Sequence, residues 1–215
     1  MQVIGLTGGI GMGKSTAAAA FRRARIPVFD ADATVHWLQR PGGAALRLIG
    51  EAFPGTVATD ASGRRVLDRA ALRARVLSVP GALAGLEAIV HPLVRRQQRA
   101  FLARARRARA PIAVLDIPLL LETRGEQQVD RVVVVSAPRS VQIARVRRRR
   151  HMDPEQILAV LARQMPDAEK RRRADWVVRT GLSRHYALRA IRRLIGQLRG
   201  RPSRVDCRHG PFRPD

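Results

Sequence analysis

The run Gly8-Gly9-Ile10-Gly11-Met12-Gly13-Lys14-Ser15-Thr16 follows directly on the apolar segment Val3 to Leu6. A strand that meets the pattern G-x-x-x-x-G-K-[ST] must turn into a helix through a loop whose backbone N–H groups face inward. Such a loop holds phosphate oxygens at the start of the helix, where the peptide dipoles favour negative charge. Lys14 would reach the β and γ phosphates of a nucleotide, and the Ser15 hydroxyl would ligate Mg²⁺. The expected ATP-contacting set is Gly8, Gly9, Gly11, Met12, Gly13, Lys14, Ser15 and Thr16. A glycine turn that merely joined a strand to a helix would not require Lys14-Ser15 at this offset.

The rest of the chain repeats the strand and helix alternation. A helix is expected from Lys14 to about Arg25, then a short strand Pro27-Val28-Phe29 ending at Asp30. From Ala31 to Arg109 apolar residues recur at helical spacing, broken by Pro41-Gly42-Gly43, Pro54-Gly55, Ser62-Gly63 and Pro80-Gly81, which reads as a mainly helical insertion. Ile112 to Leu115, ending in Asp116, and Val132 to Val135 lack alternation, as strands covered on both faces do. Two short helices around Asp153-Pro154, a strand at Trp176-Val177-Val178 and a last helix from Ser183 complete the pattern. That helix carries Leu188, Ile191, Leu194, Ile195 and Leu198 on one face. After Gly200 the chain is expected to fray. Alternating strands and helices behind such a loop imply an α/β fold with a doubly wound parallel sheet and ligands at the strand carboxyl ends.

A formal charge of +24 on 215 residues raises nucleic-acid binding first. Yet Lys14 and Lys170 are the only lysines, asparagine is absent, and aromatic residues make up 4% of the chain without interleaving the arginines. The pattern is a general bias toward arginine, without stacking platforms for bases, so no nucleic-acid partner is expected. A basic surface would still attract nucleotides. No apolar run is long enough to span a membrane, and the sole cysteine, Cys207, excludes an intrachain disulfide. A cytoplasmic protein without membrane partners is expected, as a monomer.

Among phosphate-loop proteins, a guanine-recognising N-K-x-D motif is impossible without asparagine, and Asp116 is followed by Ile117-Pro118 rather than by a second acid. A small-molecule kinase remains. Further segments support one family: Gly5 to Gly11 leading into Gly13-Lys14-Ser15, Asp30-Ala31-Asp32, Leu67-Asp68-Arg69, Leu86-Glu87 ahead of His91-Pro92, Pro118-Leu119-Leu120-Leu121-Glu122, and Gln164-Met165-Pro166. In this order and spacing, over about residues 2 to 195, the chain resembles the dephospho-coenzyme A kinases. The resemblance implies ATP-dependent phosphorylation of the ribose 3'-hydroxyl of dephospho-coenzyme A, with Mg²⁺. It also implies a five-stranded core of P-loop kinase type (residues 1–30, 110–138 and 166–199), a helical acceptor domain (31–109) and a helical lid (139–165), with 200–215 as a disordered tail. The competing classes are another small-molecule kinase of this architecture and a nucleotide-switched nucleic-acid binder.

The resemblance places the general base at Asp32, just past the second strand, with Asp30 competing; a helix cap is the ordinary role for either. Asp116 could position Mg²⁺-bound water or orient the Pro118 turn. His91 would contact the acceptor, unless it simply opens a helix before Pro92. Leu119 and Glu122 fall on the acceptor side, where Glu122 could equally form a hinge salt bridge. In the lid, Arg145 and Arg149 suit phosphate oxygens, Arg145 being the stronger candidate for a catalytic role. The chain departs from the family at Met12, which is tolerable if its side chain points outward. It departs also at Arg149-Arg150, where Arg-Asp is common, and at Arg179-Thr180-Gly181 near the adenine site.

Overall fold

The computed structural model describes residues 1–150, 157, 159, 161–162 and 164–200. Five strands, β1 (Gln2–Thr7), β2 (Val28–Asp30), β5 (Ile112–Asp116), β6 (Arg131–Ser136) and β7 (Trp176–Arg179), form one sheet in the order β2-β5-β1-β6-β7. β1 runs parallel to β6, with Gly5 opposite Val132, and β6 parallel to β7, with Val133 opposite Trp176. β5 is buried along its whole length, which accounts for its unbroken apolar sequence. The expected doubly wound α/β sheet is therefore present, and its strands begin and end within a few residues of the expected positions.

Helix α1 (Lys14–Arg23) starts at Gly13, and Ala17, Ala18 and Ala20 on its buried face let it lie close to the sheet. Arg25, at φ 58°, terminates it two residues earlier than the pattern suggested. The last helix, α8 (Arg184–Leu198), is capped by Ser183, whose hydroxyl accepts from the Tyr186 N–H at 3.1 Å. Its Ile191, Leu194 and Ile195 join Ile4, Leu6, Phe21 and Val133 in the main core. Helix α6 (Arg139–Arg150) follows β6, and the short α7 (Asp167–Arg172), which periodicity did not reveal, precedes β7. The expected helix start at Asp153-Pro154 and the tail with Cys207 lie outside the described residues, as do the side chains of Arg149 and Arg150.

The chain divides into two compact units, the first built from Met1–Val28, Pro111–Val114 and the described residues from Leu119 on, the second from Phe29–Ala110 and Leu115–Pro118. Within the second, α2 (Ala31–Leu38), α3 (Ala44–Ala52), α4 (Arg69–Ser78) and the 26-residue α5 (Ala82–Arg107) enclose Leu38, Ile49, Phe53, Leu72 and Val90. Two features differ from the expectation. A hairpin, β3 (Val57–Thr59) with β4 (Arg65–Leu67), interrupts the helices, its turn fixed by Asp60, whose Oδ1 accepts from the N–H groups of Ser62 and Arg64 at 2.9 Å. These hydrogen bonds and the Ser62 hydroxyl hold the Asp60 carboxyl below its ordinary pKa. Pro92 stands inside α5, so His91 does not open a helix; the ring removes the bond that a residue 92 N–H would give to the carbonyl of the exposed Ala88 and crowds that carbonyl.

Candidate active site

The phosphate loop belongs wholly to the first unit, and its carbonyl oxygens from Gly9 to Gly13 each have an identified donor. The Met12 N–H donates to Gly9 O at 3.2 Å, and Gly13 O accepts from Thr16 and Ala17 at 3.0 and 3.3 Å. Side chains engage the outer peptide groups. Gln142 Nε2 donates to Ile10 O at 2.8 Å, Arg145 to Gly11 O at 3.4 Å, and Thr180 Oγ1 to Met12 O at 2.6 Å. The Ile10 N–H donates to Gln164 Oε1 at 3.1 Å. Among the described residues, the N–H groups of Gly11, Gly13 and Ser15 have no backbone or side-chain acceptor. Gly11 and Gly13 adopt φ of 74° and 91°, and a Cβ on Gly11 would lie 2.8 Å from Val146 Cγ2, so glycine is required there. No side chain caps α1, and its first turn is left open to an anion.

Met12 corrects one expectation. Its side chain points inward, 3% exposed, within the main core, and its sulfur accepts from the Ala137 N–H at 3.0 Å. A flexible thioether can fill that position and still take up an N–H, as a small residue could not. Arg145, expected at the phosphates, donates from its guanidinium to Thr180 Oγ1 at 3.1 Å and Thr180 O at 2.6 Å besides Gly11 O. Arg149 lies on the same helix, its side chain outside the description.

Beside the loop lies a cavity of about 700 Å³, bordered by Gly9, Met12, Pro138, Arg179, Leu182 and Tyr186. Lys170 and Gln164 also line it. Lys170 is buried, with Nζ 2.7 Å from Glu122 Oε1, which accepts in addition from the Met165 N–H at 3.0 Å. Of the two roles open to Glu122, the structure displays the ion pair. Leu119 is 40% exposed, whereas Leu120 and Leu121 of the same motif are core residues.

In the second unit, Asp30 caps α2, its Oδ1 accepting from the Ala33 N–H at 2.9 Å. The cap thus falls to Asp30, and Asp32, in the first helical turn, is exposed. His91 is exposed on α5. Asp116, at the end of β5, is buried.

The model of the dephospho-CoA kinase family matches residues 2–183. The chain is 52% identical over 203 residues to the dephospho-CoA kinase of Gluconobacter oxydans, covering 93% of this chain and 98% of that protein. It is 54% identical over 200 residues to that of Paramagnetospirillum magneticum, covering 93% and 92%. The chain belongs to the dephospho-CoA kinase family. Its activity is therefore the ATP-dependent phosphorylation of dephospho-CoA, the final step of coenzyme A synthesis. The solved structure of TT1252 from Thermus thermophilus superposes with a TM-score of 0.78 at 37% identity, covering 92% of this chain and 97% of that one. A Campylobacter jejuni dephospho-CoA kinase shares the fold, with a TM-score of 0.64 at 20% identity and coverage of 92% and 97%.

Ser15 and Asp116, the residues expected to hold Mg²⁺, each carry an oxygen donor of the kind that ion takes. Ser15, in the first unit, carries an exposed hydroxyl on the first turn of α1, Asp116, in the second, carries a buried carboxylate, and among the described residues no cluster of three acids or histidines forms a cage. Mg²⁺ takes such a sparse set, keeping waters and substrate phosphates as its other ligands. Sequence reasoning assigned no role to Gln142, Gln164, Thr180 or Lys170. For Lys170 a signal existed: in a chain that otherwise uses arginine, a lone second lysine marks a position where a compact ammonium fits and a planar guanidinium does not.

Proposed function

We propose that this kinase transfers the γ-phosphoryl group of ATP to the ribose 3'-hydroxyl of dephospho-CoA, using the phosphate loop with Lys14 as its electrophilic clamp and Asp32 as its general base. The supporting observation is the open set of N–H groups on Gly11, Gly13 and Ser15 at the uncapped start of α1. Phosphoryl transfer asks little covalent chemistry of a protein; it asks that the phosphates be fixed and their developing charge matched. Those N–H groups fix the β-phosphate, while the Lys14 ammonium follows charge onto the β–γ bridge. Ser15 and Asp116 would hold Mg²⁺, which when bound neutralises the phosphate oxygens.

Asp32 accepts the proton of the 3'-hydroxyl as its oxygen bonds to phosphorus and the bond to the ADP oxygen breaks. Its exposure and its freedom from the capping role given to Asp30 support this choice. His91 and Leu119 serve as acceptor contacts. The cavity bordered by Arg179 and Leu182 suits the adenine ring, since the family resemblance puts the adenine site beside Arg179-Thr180-Gly181. Small charged substrates fit a cytoplasmic enzyme, and one chain carries every group invoked, which fits a monomer. The test is a coupled ADP-release assay with dephospho-CoA beside AMP, shikimate and gluconate. Turnover with dephospho-CoA alone is expected; faster turnover with any of the other three would overturn the acceptor assignment.

A further inference from the structure

A trans peptide unit carries its C=O and N–H on opposite sides, so fixing a carbonyl oxygen fixes the direction of the next residue's N–H. In the phosphate loop the carbonyls of Ile10, Gly11 and Met12 are each met by a side-chain donor, from Gln142, Arg145 and Thr180. The peptides that present the open N–H groups of Gly11 and Gly13 are those whose carbonyls, Ile10 O and Met12 O, are held by Gln142 and Thr180. The two N–H groups that alternate with them turn to protein acceptors, Ile10 to Gln164 Oε1 and Met12 to Gly9 O. The amide orientations follow from the same pattern, since Ile10 O needs a donor at Gln142 and Ile10 N–H an acceptor at Gln164.

We infer that Gln142 and Thr180 are positioning residues of phosphoryl transfer: by donating to Ile10 O and Met12 O they aim the Gly11 and Gly13 N–H groups at the phosphates. Arg145 belongs to the same device. Its guanidinium bridges Gly11 O to Thr180 Oγ1 and Thr180 O, so it holds the donor that holds Met12. This gives Arg145 work on the protein side of the loop and makes Thr180, a departure from the family pattern, part of how this chain binds ATP. Both donors are buried, Gln142 at 5% and Thr180 at 5% exposure, and neither reaches solvent to exchange partners freely. A preorganised donor array acts without reorganising during the reaction, which is what makes it effective. The inference rests on the loop being the ATP site.

Paired substitutions separate donation from packing. Thr180→Val keeps the volume and loses the hydroxyl, whereas Thr180→Ser keeps the hydroxyl and loses a methyl. Gln142→Met fills the space of the amide without a donor, and Gln142→Ala empties it. Kinase activity of each full-length variant is measured with ATP varied at saturating dephospho-CoA, and affinities for ATP-Mg²⁺ and for dephospho-CoA are measured separately by calorimetry. Thr180→Val is expected to lose about 10-fold in kcat/KM for ATP and a similar factor in ATP affinity, the scale of one misaligned donor set. Thr180→Ser should stay within about 3-fold of the parent, and dephospho-CoA affinity should be unchanged in both. Gln142→Met should be impaired as much as Gln142→Ala. The inference is overturned if Val is tolerated better than Ser at 180, if Met rescues Ala at 142, or if acceptor affinity falls with ATP affinity. Should Thr180→Val fail to fold, the Gln142 pair decides by the same criterion. Loss of all ATP binding in Lys14→Ala, measured alongside, checks the underlying site; normal binding there would fault the site itself and not the donors.

Discussion

Nζ of Lys170 lies 2.7 Å from Oε1 of Glu122, and 1% of the lysine side chain is exposed against 16% of the glutamate. The contact is close but incompletely served: Nζ meets no acceptor in hydrogen-bonding geometry, and Glu122 Oε2 is likewise buried without a partner. A charge taken so far from water is costly to leave alone, more so than the pair is valuable as a whole. Glu122→Gln should therefore destabilise the protein by about 3–5 kcal/mol, because it strands the buried ammonium. Lys170→Met should cost less, since the glutamate is the less deeply buried partner and keeps the Met165 N–H. Urea unfolding of the two singles and the double tests this. Recovery of most of the loss in the double variant is expected; strictly additive losses would show that the pair is not coupled.

Lys14→Ala removes the ammonium proposed to meet the transferring phosphoryl group and should leave the fold alone, because residue 14 lies in the first turn of α1 and alanine is a good helix former. Turnover should fall by at least about 10³-fold, in line with losing a main electrostatic contact. A variant with native circular dichroism and near-parent turnover would remove this loop from the reaction.

Met12 is a core side chain and a hydrogen-bond acceptor at once. Met12→Leu should cost about 1–2 kcal/mol, mainly for the unpartnered Ala137 N–H, and Met12→Ala about 2–5 kcal/mol for the cavity as well. Denaturant midpoints give both values. Equal stability of the leucine variant and the parent would show that the sulfur contact contributes nothing.

How much of this was legible before the structure depends on the range of the interaction. Val132 to Val135 declares a doubly covered strand by composition alone, and Ser183 declares a helix start, because both signals lie within a few residues. The loop pattern likewise gave Lys14 and Ser15 their positions. The hairpin at Val57 to Leu67 was not seen because its strands are three residues each and its decisive bonds run from one side chain, Asp60. The inward seat of Met12, expected to be tolerable only with the side chain outward, was not legible because its partner Ala137 is 125 residues away. The donors on Ile10, Gly11 and Met12 were invisible for the same reason: each lies between 132 and 168 residues from its acceptor, and a glutamine or threonine announces nothing about which carbonyl it will meet.

Asp30 and Asp32 sit two residues apart with different structural duties, and that difference sharpens the assignment of the base. Asp30 accepts from the Ala33 N–H, so Asp30→Asn, which retains a capping oxygen, should leave stability and turnover nearly unchanged. Asp32 is exposed in the first turn of α2 and takes no part in the cap. Asp32→Asn keeps the shape and deletes the carboxylate proposed to accept the 3'-hydroxyl proton. Its turnover should drop by roughly 10²-fold or more, while ATP affinity changes little. The loss should appear in kcat and in kcat/KM together, as for a group that acts only in the transition state. Steady-state kinetics with both substrates varied measures this, with circular dichroism confirming the fold. A loss confined to Asp30→Asn would transfer the base to that residue, and full activity in both variants would mean that neither carboxylate takes the proton.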